Sequence, residues 1–251
     1  MSAQHRSLIV TGGGRGIGAA VARLAARNGY AVAVNYLANE RAAAEVAGEI
    51  EGHNGSAIAI QADVSREEEV IRLFCTAEQK LGKITALVNN AGITGGFSPL
   101  ESLKAKTLER VLAVNVYGAT LCAREAVLRM STKRGGAGGA IVNISSRAAQ
   151  LGSAGEWIHY AITKGAIDTL TIGLAREVAN EGIRVNAVAP GLVETEIHAQ
   201  AGDPERPNRL APGIPLGRAG NPEEIADAVL WLLSPAAAYI TGAVLPVSGG
   251  R

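Results

Sequence analysis

Ser7-Leu8-Ile9-Val10-Thr11-Gly12-Gly13-Gly14-Arg15-Gly16-Ile17-Gly18, running on into Ala19 to Asn28, decides the fold. Ser7 to Thr11 is a short apolar run of the kind a buried strand uses. From Ala19 to Asn28 the pattern changes: Val21, Leu24 and Ala25 fall on one helical stripe, and Gly29 supplies a stop. Glycines at 12, 16 and 18 stand between them in a G-x-x-x-G-x-G spacing. Strand, glycine turn and helix in that order form a cradle for the phosphates of a dinucleotide. Glycine lets the backbone approach a pyrophosphate, and the helix N-terminus offers unpaired N–H groups and the positive end of a dipole.

The same alternation continues along the chain. Apolar runs at 31–35, 57–60, 86–88, 140–144, 185–188 and 244–247 read as strands. Helical patterns fall between them at roughly 39–52, 66–81, 99–132 with a break, 157–180 and 222–233. Near-continuous apolar strands separated by helices imply an α/β fold, a parallel sheet covered on both faces. With 251 residues, 47% of them hydrophobic, the chain is expected to form one domain, 1–251, around a large core. A net charge of +1 argues against a nucleic-acid or anionic-membrane partner. No run of about 18 apolar residues is evident, so no membrane span is expected. Met1 to Arg6 leads directly into the first strand, which leaves no room for a leader and points to the cytoplasm. Cys75 and Cys122 read as small core residues of a reducing compartment, and no metal site is expected.

Tyr160 and Lys164 stand one helical turn apart in Ile158-His159-Tyr160-Ala161-Ile162-Thr163-Lys164, which puts both on one face. A phenol titrates near pH 10. An ammonium about 4 Å away at an effective dielectric near 20 is worth roughly 4 kcal/mol, enough to bring the phenol near pH 7 as a two-way acid/base.

Thr11 to Gly18, Asn89-Asn90-Ala91-Gly92, Asn115, Ser145-Ser146, Tyr160-x-x-x-Lys164 and Pro190-Gly191 occur in the order found in the short-chain dehydrogenase/reductase family. The chain resembles that family over nearly its whole length. The resemblance implies a Rossmann-like, doubly wound sheet of seven parallel strands, usually in a homotetramer. It implies hydride transfer between a nicotinamide dinucleotide and a small-molecule carbonyl or alcohol. It also assigns catalytic roles to Asn115, Ser146, Tyr160 and Lys164. Tyr160 is the acid/base and Lys164 lowers its pKa and holds the nicotinamide ribose. Ser146, the second serine of its pair, holds the substrate oxygen, and Asn115 holds a water that relays protons from Lys164.

The cofactor contacts implied by resemblance are Gly12, Gly14, Arg15, Gly16, Ile17 and Gly18 in the glycine turn, and Asn35 and Tyr36 at the end of the second strand. Asp63 and Val64 are placed at the adenine, although Asp63 also suits a cap for the helix that follows. Asn89 is read as a tie between central strands, with Ala91 and Gly92 keeping the backbone thin beside the ribose. Pro190, Gly191, Val193 and Thr195 are placed at the nicotinamide end, beside Tyr160 and Lys164. No acid occurs from Asn35 to Asn39, while Arg15 sits in the glycine turn with Arg41 near. That pattern favours a 2′-phosphate, so NADP(H) is expected over NAD(H), which stays possible. Thr94-Gly95-Gly96, the loop from Gln150 to His159, and a lid over about 192–212 are expected to line the substrate pocket. Glu156, Trp157 and His159 suggest a small polar or sugar-like substrate. The alternatives are a 3-oxoacyl-carrier-protein reductase and, in another class, a dinucleotide-binding sensor without turnover.

Overall fold

The computed structural model describes residues 6–251, so the leader reading, which rests on the first residues, lies largely outside them. The strands are β1 (Arg6–Val10), β2 (Tyr30–Tyr36), β3 (Ser56–Gln61), β4 (Ile84–Asn89), β5 (Gly139–Ile144), β6 (Ile183–Pro190) and β7 (Val244–Val247). They form a single parallel sheet in the order β3-β2-β1-β4-β5-β6-β7, as expected for a seven-stranded doubly wound fold. The pleat sends alternate side chains to opposite faces. Leu8 and Val10 join one core with Val21, Val46 and Val229, while Ile9 joins the other with Phe74, Leu121 and Val178. Helices α1 (Gly16–Arg27), α2 (Glu40–Gly52) and α10 (Pro222–Leu233) cover the first face. Helices α3 (Glu67–Leu81), α5 (Ala119–Met130) and α7 (Ile158–Val178) cover the second.

Local sequence explains the helix ends. Glu67, Glu68 and Glu69 fill the first turn of α3, where carboxylates complement the dipole. Asn221 and Glu224 form a capping box around Pro222 at the start of α10. The region expected as a broken helix over 99–132 begins with a short 3₁₀ turn at Leu100–Ser102. From α4 (Ala105–Leu112) it runs through a π-helical turn at Ala113–Gly118 into α5. By length and composition alone the helix Ala105–Met130 could cross a membrane, contrary to the sequence reading. Its apolar window is 56% buried within the molecule, as a core helix would be.

Cys122 is buried as expected, but Cys75 is exposed and lies 3.4 Å from Nη2 of Arg129. The reason is the face of α3: Phe74 turns inward and its neighbour turns out.

Strand β1 sits between β2 and β4, so the chain winds outward in both directions from it and a crevice opens at the carboxyl ends of β1 and β4. Behind that crevice a buried polar chain joins the layers. Asn89 donates to Oδ1 of Asn143 at 3.0 Å and to the Ala119 carbonyl at 3.0 Å, and Asn143 donates to Oγ1 of Thr171 at 2.9 Å. Asn89 is thus the tie between central strands that the sequence suggested. Asn143→Ala removes two buried side-chain hydrogen bonds, each worth about 0.5–1.5 kcal/mol, and opens a void in the buried chain, although Asn89 keeps Ala119 and Thr171 keeps the Ile167 carbonyl. A loss of about 3 kcal/mol in urea unfolding is expected; a loss below about 0.5 kcal/mol would show that the chain is replaceable.

Candidate active site

The glycine turn is braced from below. Thr11 Oγ1 accepts from the N–H groups of Asn90 and Ala91, and the Asn90 side chain donates to the carbonyls of Thr11 and Gly12. Asn35, expected at the cofactor, is buried; it accepts from the Gly12 N–H at 3.2 Å and donates to the Ala62 carbonyl at 3.1 Å. Its side chain therefore holds the turn in shape. Gly18 has no room for a side chain, because a Cβ there would overlap the Gly12 carbonyl. Arg15, at the N-cap of α1, makes no side-chain cap, and the first turn of that helix carries no acid. A helix start left uncapped in this way suits an anion.

Two clefts meet at Gly92. One is lined by Gly12, Gly14, Arg15, Asn35, Tyr36, Asp63, Val64 and Ala91. The other is lined by Ile17, Ser146, Tyr160, Lys164, Pro190, Gly191, Val193 and Thr195. A Cβ on Gly92 would stand 3.4 Å from Oδ1 of Asn115 and 3.7 Å from Nζ of Lys164, narrowing the junction. Gly16 packs beside Thr195, whose Cγ2 would lie 3.2 Å from an added Cβ. These features fit a dinucleotide laid along both clefts: an uncapped helix end for phosphates, a thin backbone at the bend, and a cationic Lys164 beyond it.

Some side chains expected at the dinucleotide also bond within the protein. Asp63 accepts from the N–H and hydroxyl of Ser65 and pairs with Arg110 at 3.3 Å. Burial pushes its carboxyl up, but Ser65 and Arg110 hold it below the usual carboxylate range. It makes a turn ahead of α3 without capping it, since the N-cap of that helix is Arg66. Arg41 points away from the cleft and pairs with Glu45 at 2.8 Å, leaving Arg15 as the arginine of the earlier pair that lines it.

The chemical groups converge at the carboxyl end of β5. Ser146 stands beside the Tyr160 hydroxyl, which its own hydroxyl favours in the ionised form, and accepts at 3.1 Å from the N–H of Ala148, the first residue of α6 (Ala148–Leu151). Ser145 points the other way, donating to Asp168 and to the Lys164 carbonyl. Lys164 is buried, donates to the Ile144 carbonyl at 2.7 Å, and holds its Nζ 5.4 Å from the centre of the Tyr160 ring. The expected lowering of the Tyr160 pKa is not found. Burial pushes the phenol up to about 12 against a hydrogen bond from Ser146, and burial pushes the Lys164 ammonium down to about 8 although Asp168 favours its charge. Desolvation disfavours both charged forms and outweighs the partner.

Asn115 lies in the π-helical turn, a geometry frequent at functional sites. Its side chain accepts from the Ile93 N–H and donates to the Ile93 carbonyl, both at 2.9 Å, and donates to Thr163 at 3.0 Å. The side chain thus clamps the loop after β4 onto α7. His159 is buried and its Nε2 donates to the Thr94 carbonyl at 2.7 Å, so it is a structural residue.

Asp168 is the site residue the sequence reading overlooked. It sits one turn beyond Lys164 on the same face, a spacing visible in the chain, and also accepts from Gln150 at 3.0 Å. Above the cleft, the expected lid region contributes two short helices, α8 (Ile197–Gln200) and α9 (Arg206–Leu210). Thr94, Trp157, Leu192, His198 and Arg206 line the cleft near Tyr160, and Gln200 accepts from Arg15 at 3.0 Å.

Residues 12–251 match the family model described as enoyl-(acyl carrier protein) reductase. The chain is 52% identical over 243 residues to the Uncharacterized oxidoreductase YgfF of Escherichia coli (strain K12), covering 97% of this chain and 98% of that protein. It is 39% identical to a 3-oxoacyl-[acyl-carrier-protein] reductase of Synechocystis sp., covering 96% of this chain and 95% of the relative. A crystal structure of a dehydrogenase/reductase from Sinorhizobium meliloti 1021 superposes with a TM-score of 0.90 at 34% identity, over 99% of this chain and 96% of that one.

Proposed function

The chain belongs to the short-chain dehydrogenase/reductase family, and on that premise we propose that it is an NADP(H)-dependent oxidoreductase acting on a small polar carbonyl or secondary alcohol. The observation that carries this reading is the meeting of Ser146, Tyr160 and Lys164 in one cleft beside Gly92. A bound nicotinamide dinucleotide would supply or accept the hydride. The uncapped start of α1 would hold its phosphates, Asp63 and Val64 its adenine end, and Pro190 to Thr195 with Lys164 its nicotinamide end.

Tyr160, neutral at pH 7, donates its proton to the oxygen as a carbonyl is reduced. The Ser146 hydroxyl holds that oxygen and shares its growing charge, a contribution of about 3 kcal/mol. Lys164, charged below about pH 8, steadies the tyrosinate left behind. Asn115 holds the loop after β4 against α7 and so sets the width of the site. Ser146→Ala is expected to lower kcat by about 10²-fold. Ser145→Ala should act through Asp168 and lower kcat far less. The reverse ranking would exchange the two roles.

NADP(H) is favoured by Arg15 in the cleft and by the absence of acid from Asn35 to Asn39. Following absorbance at 340 nm with a carbonyl panel, kcat/KM should be at least about tenfold higher with NADPH than with NADH, and Arg15→Ala should erase most of that margin. A clear NADH preference would overturn the assignment. Exposed apolar side chains on α5 and α7 (Leu128, Ile162, Ile172) and near the C-terminus (Trp231, Tyr239) support a homo-oligomer, which we assign as a tetramer of the cytoplasm. The name of the Synechocystis relative favours 3-oxoacyl reduction as a second reading. An acetoacetyl thioester in the panel tests it.

A further inference from the structure

Among the described residues, four buried side-chain polar atoms have no hydrogen-bond partner. Two of them, Nδ1 of His198 and Nε of Arg206, belong to residues that line the cleft of Tyr160. Each residue is 6% exposed. An unpaired buried polar atom costs about 1–3 kcal/mol, so two in one wall call for a partner that is not protein.

The chemistry of that partner follows from what the two side chains already do. His198 Nε2 lies 3.0 Å from the Val193 carbonyl, which can only accept. The ring proton is therefore on Nε2, and Nδ1 presents a bare lone pair. Burial, with the charge of Arg206 close by, holds the imidazole below its ordinary pKa, so the ring stays neutral against the opposing pull of Asp203 and Glu156. Arg206 gives Nη2 to the Glu156 carboxylate at 2.5 Å and lays its guanidinium 4.7 Å over the Trp157 ring. Its Nε–H remains as a donor.

Because Glu156 balances the guanidinium, this wall offers one acceptor and one donor with little net charge. An anionic ligand would meet the Glu156 carboxylate as well as the arginine. A hydroxyl group suits either free atom, since it can donate to Nδ1 and accept from Nε. Trp157 is stacked on Phe97 at 4.8 Å and tilted against the Tyr160 ring at 5.9 Å. The buried indole ring thus sits between the guanidinium and the phenol and fixes both at the wall of one cleft.

We propose that His198 and Arg206 determine specificity by selecting a neutral substrate that carries a hydroxyl group a short distance from its reacting carbonyl. The substrate class is then a hydroxy ketone, hydroxy aldehyde or sugar, or the corresponding polyol in the oxidative direction. The inference rests on the oxidoreductase reading above, and its test separates the two.

Reduction of 2-pentanone by NADPH is compared with that of its 1-, 3-, 4- and 5-hydroxy derivatives, with Tyr160→Phe as the control for the chemistry. At least one hydroxy derivative should exceed 2-pentanone by about a hundredfold in kcat/KM, because a site built to bond a hydroxyl rejects the analogue that lacks it. The ratio should fall below about fivefold in His198→Phe and in Arg206→Met, and recover in part in His198→Asn, which restores an acceptor. The wild-type ratio stands even if a lid variant misfolds. Ratios within about threefold across the series, or a ratio that survives both substitutions, would overturn the proposal and leave the oxidoreductase reading intact. No Tyr160-dependent turnover of any of the five would overturn both.

Discussion

Tyr160→Phe is expected to lower kcat/KM for carbonyl reduction by about 10³- to 10⁴-fold, near the upper end of what a positioned general acid supplies. The substitution removes one oxygen and keeps the ring against Trp157. Ser146 and Lys164 stay in place, so the site can still polarise a carbonyl but has no proton to give it. With the phenol pushed up to about 12, the tyrosine is protonated throughout the physiological range and starts every reduction as an acid. Steady-state kinetics with NADPH, paired with a fluorescence titration of the dinucleotide, separates chemistry from binding. Binding is expected to stay within about threefold, since the aromatic face is kept. Activity within tenfold of the wild type would take Tyr160 out of the acid role.

The pH profile of reduction should be flat from about pH 6 to 7.5 and fall above about pH 8. The group responsible is Lys164, whose pKa burial lowers to about 8. Below that value the ammonium is charged and faces the tyrosinate as it forms; above it, the charge is lost. At a separation of about 5 Å and an effective dielectric near 20 such a charge is worth roughly 3 kcal/mol, or about a hundredfold in rate. Lys164→Met should therefore be slow at every pH and lose the inflection. Asp168→Asn should move the inflection to lower pH, because Asp168 favours the charged lysine. An unchanged inflection in Lys164→Met would assign it to another group.

The strands and most helices could be read from the chain because parallel strands buried on both faces are written as plain apolar runs, whereas the seven-stranded doubly wound arrangement came with the family resemblance. The pairing of Tyr160 with Lys164 was legible in helical spacing, while Ser146 came from the family resemblance. Three things were not. Asn35 looked like a ligand contact from its place near the end of β2; it lines the cleft, but its side chain also bonds the backbone of Gly12 and Ala62, which only the pairing of β2 with its neighbours brings near. The π-helical turn around Asn115 leaves no mark in hydrophobic spacing. The protonation of Tyr160 depends on how deeply the phenol itself is buried, and burial is a property of the packed layers.

The sheet has a consequence for how this protein reaches its native state. Every strand pairing is parallel, and the central pair, β1 with β4, joins residues more than 70 positions apart. No hairpin can nucleate such a sheet, and the entropy of closing long loops must be met before any pairing returns stability. Refolding from urea should therefore take milliseconds to seconds or longer, with apolar strand edges exposed meanwhile. Yield on dilution should fall steeply as protein concentration rises. The molecule is thus most vulnerable during assembly, before the layers on both faces have closed over β1.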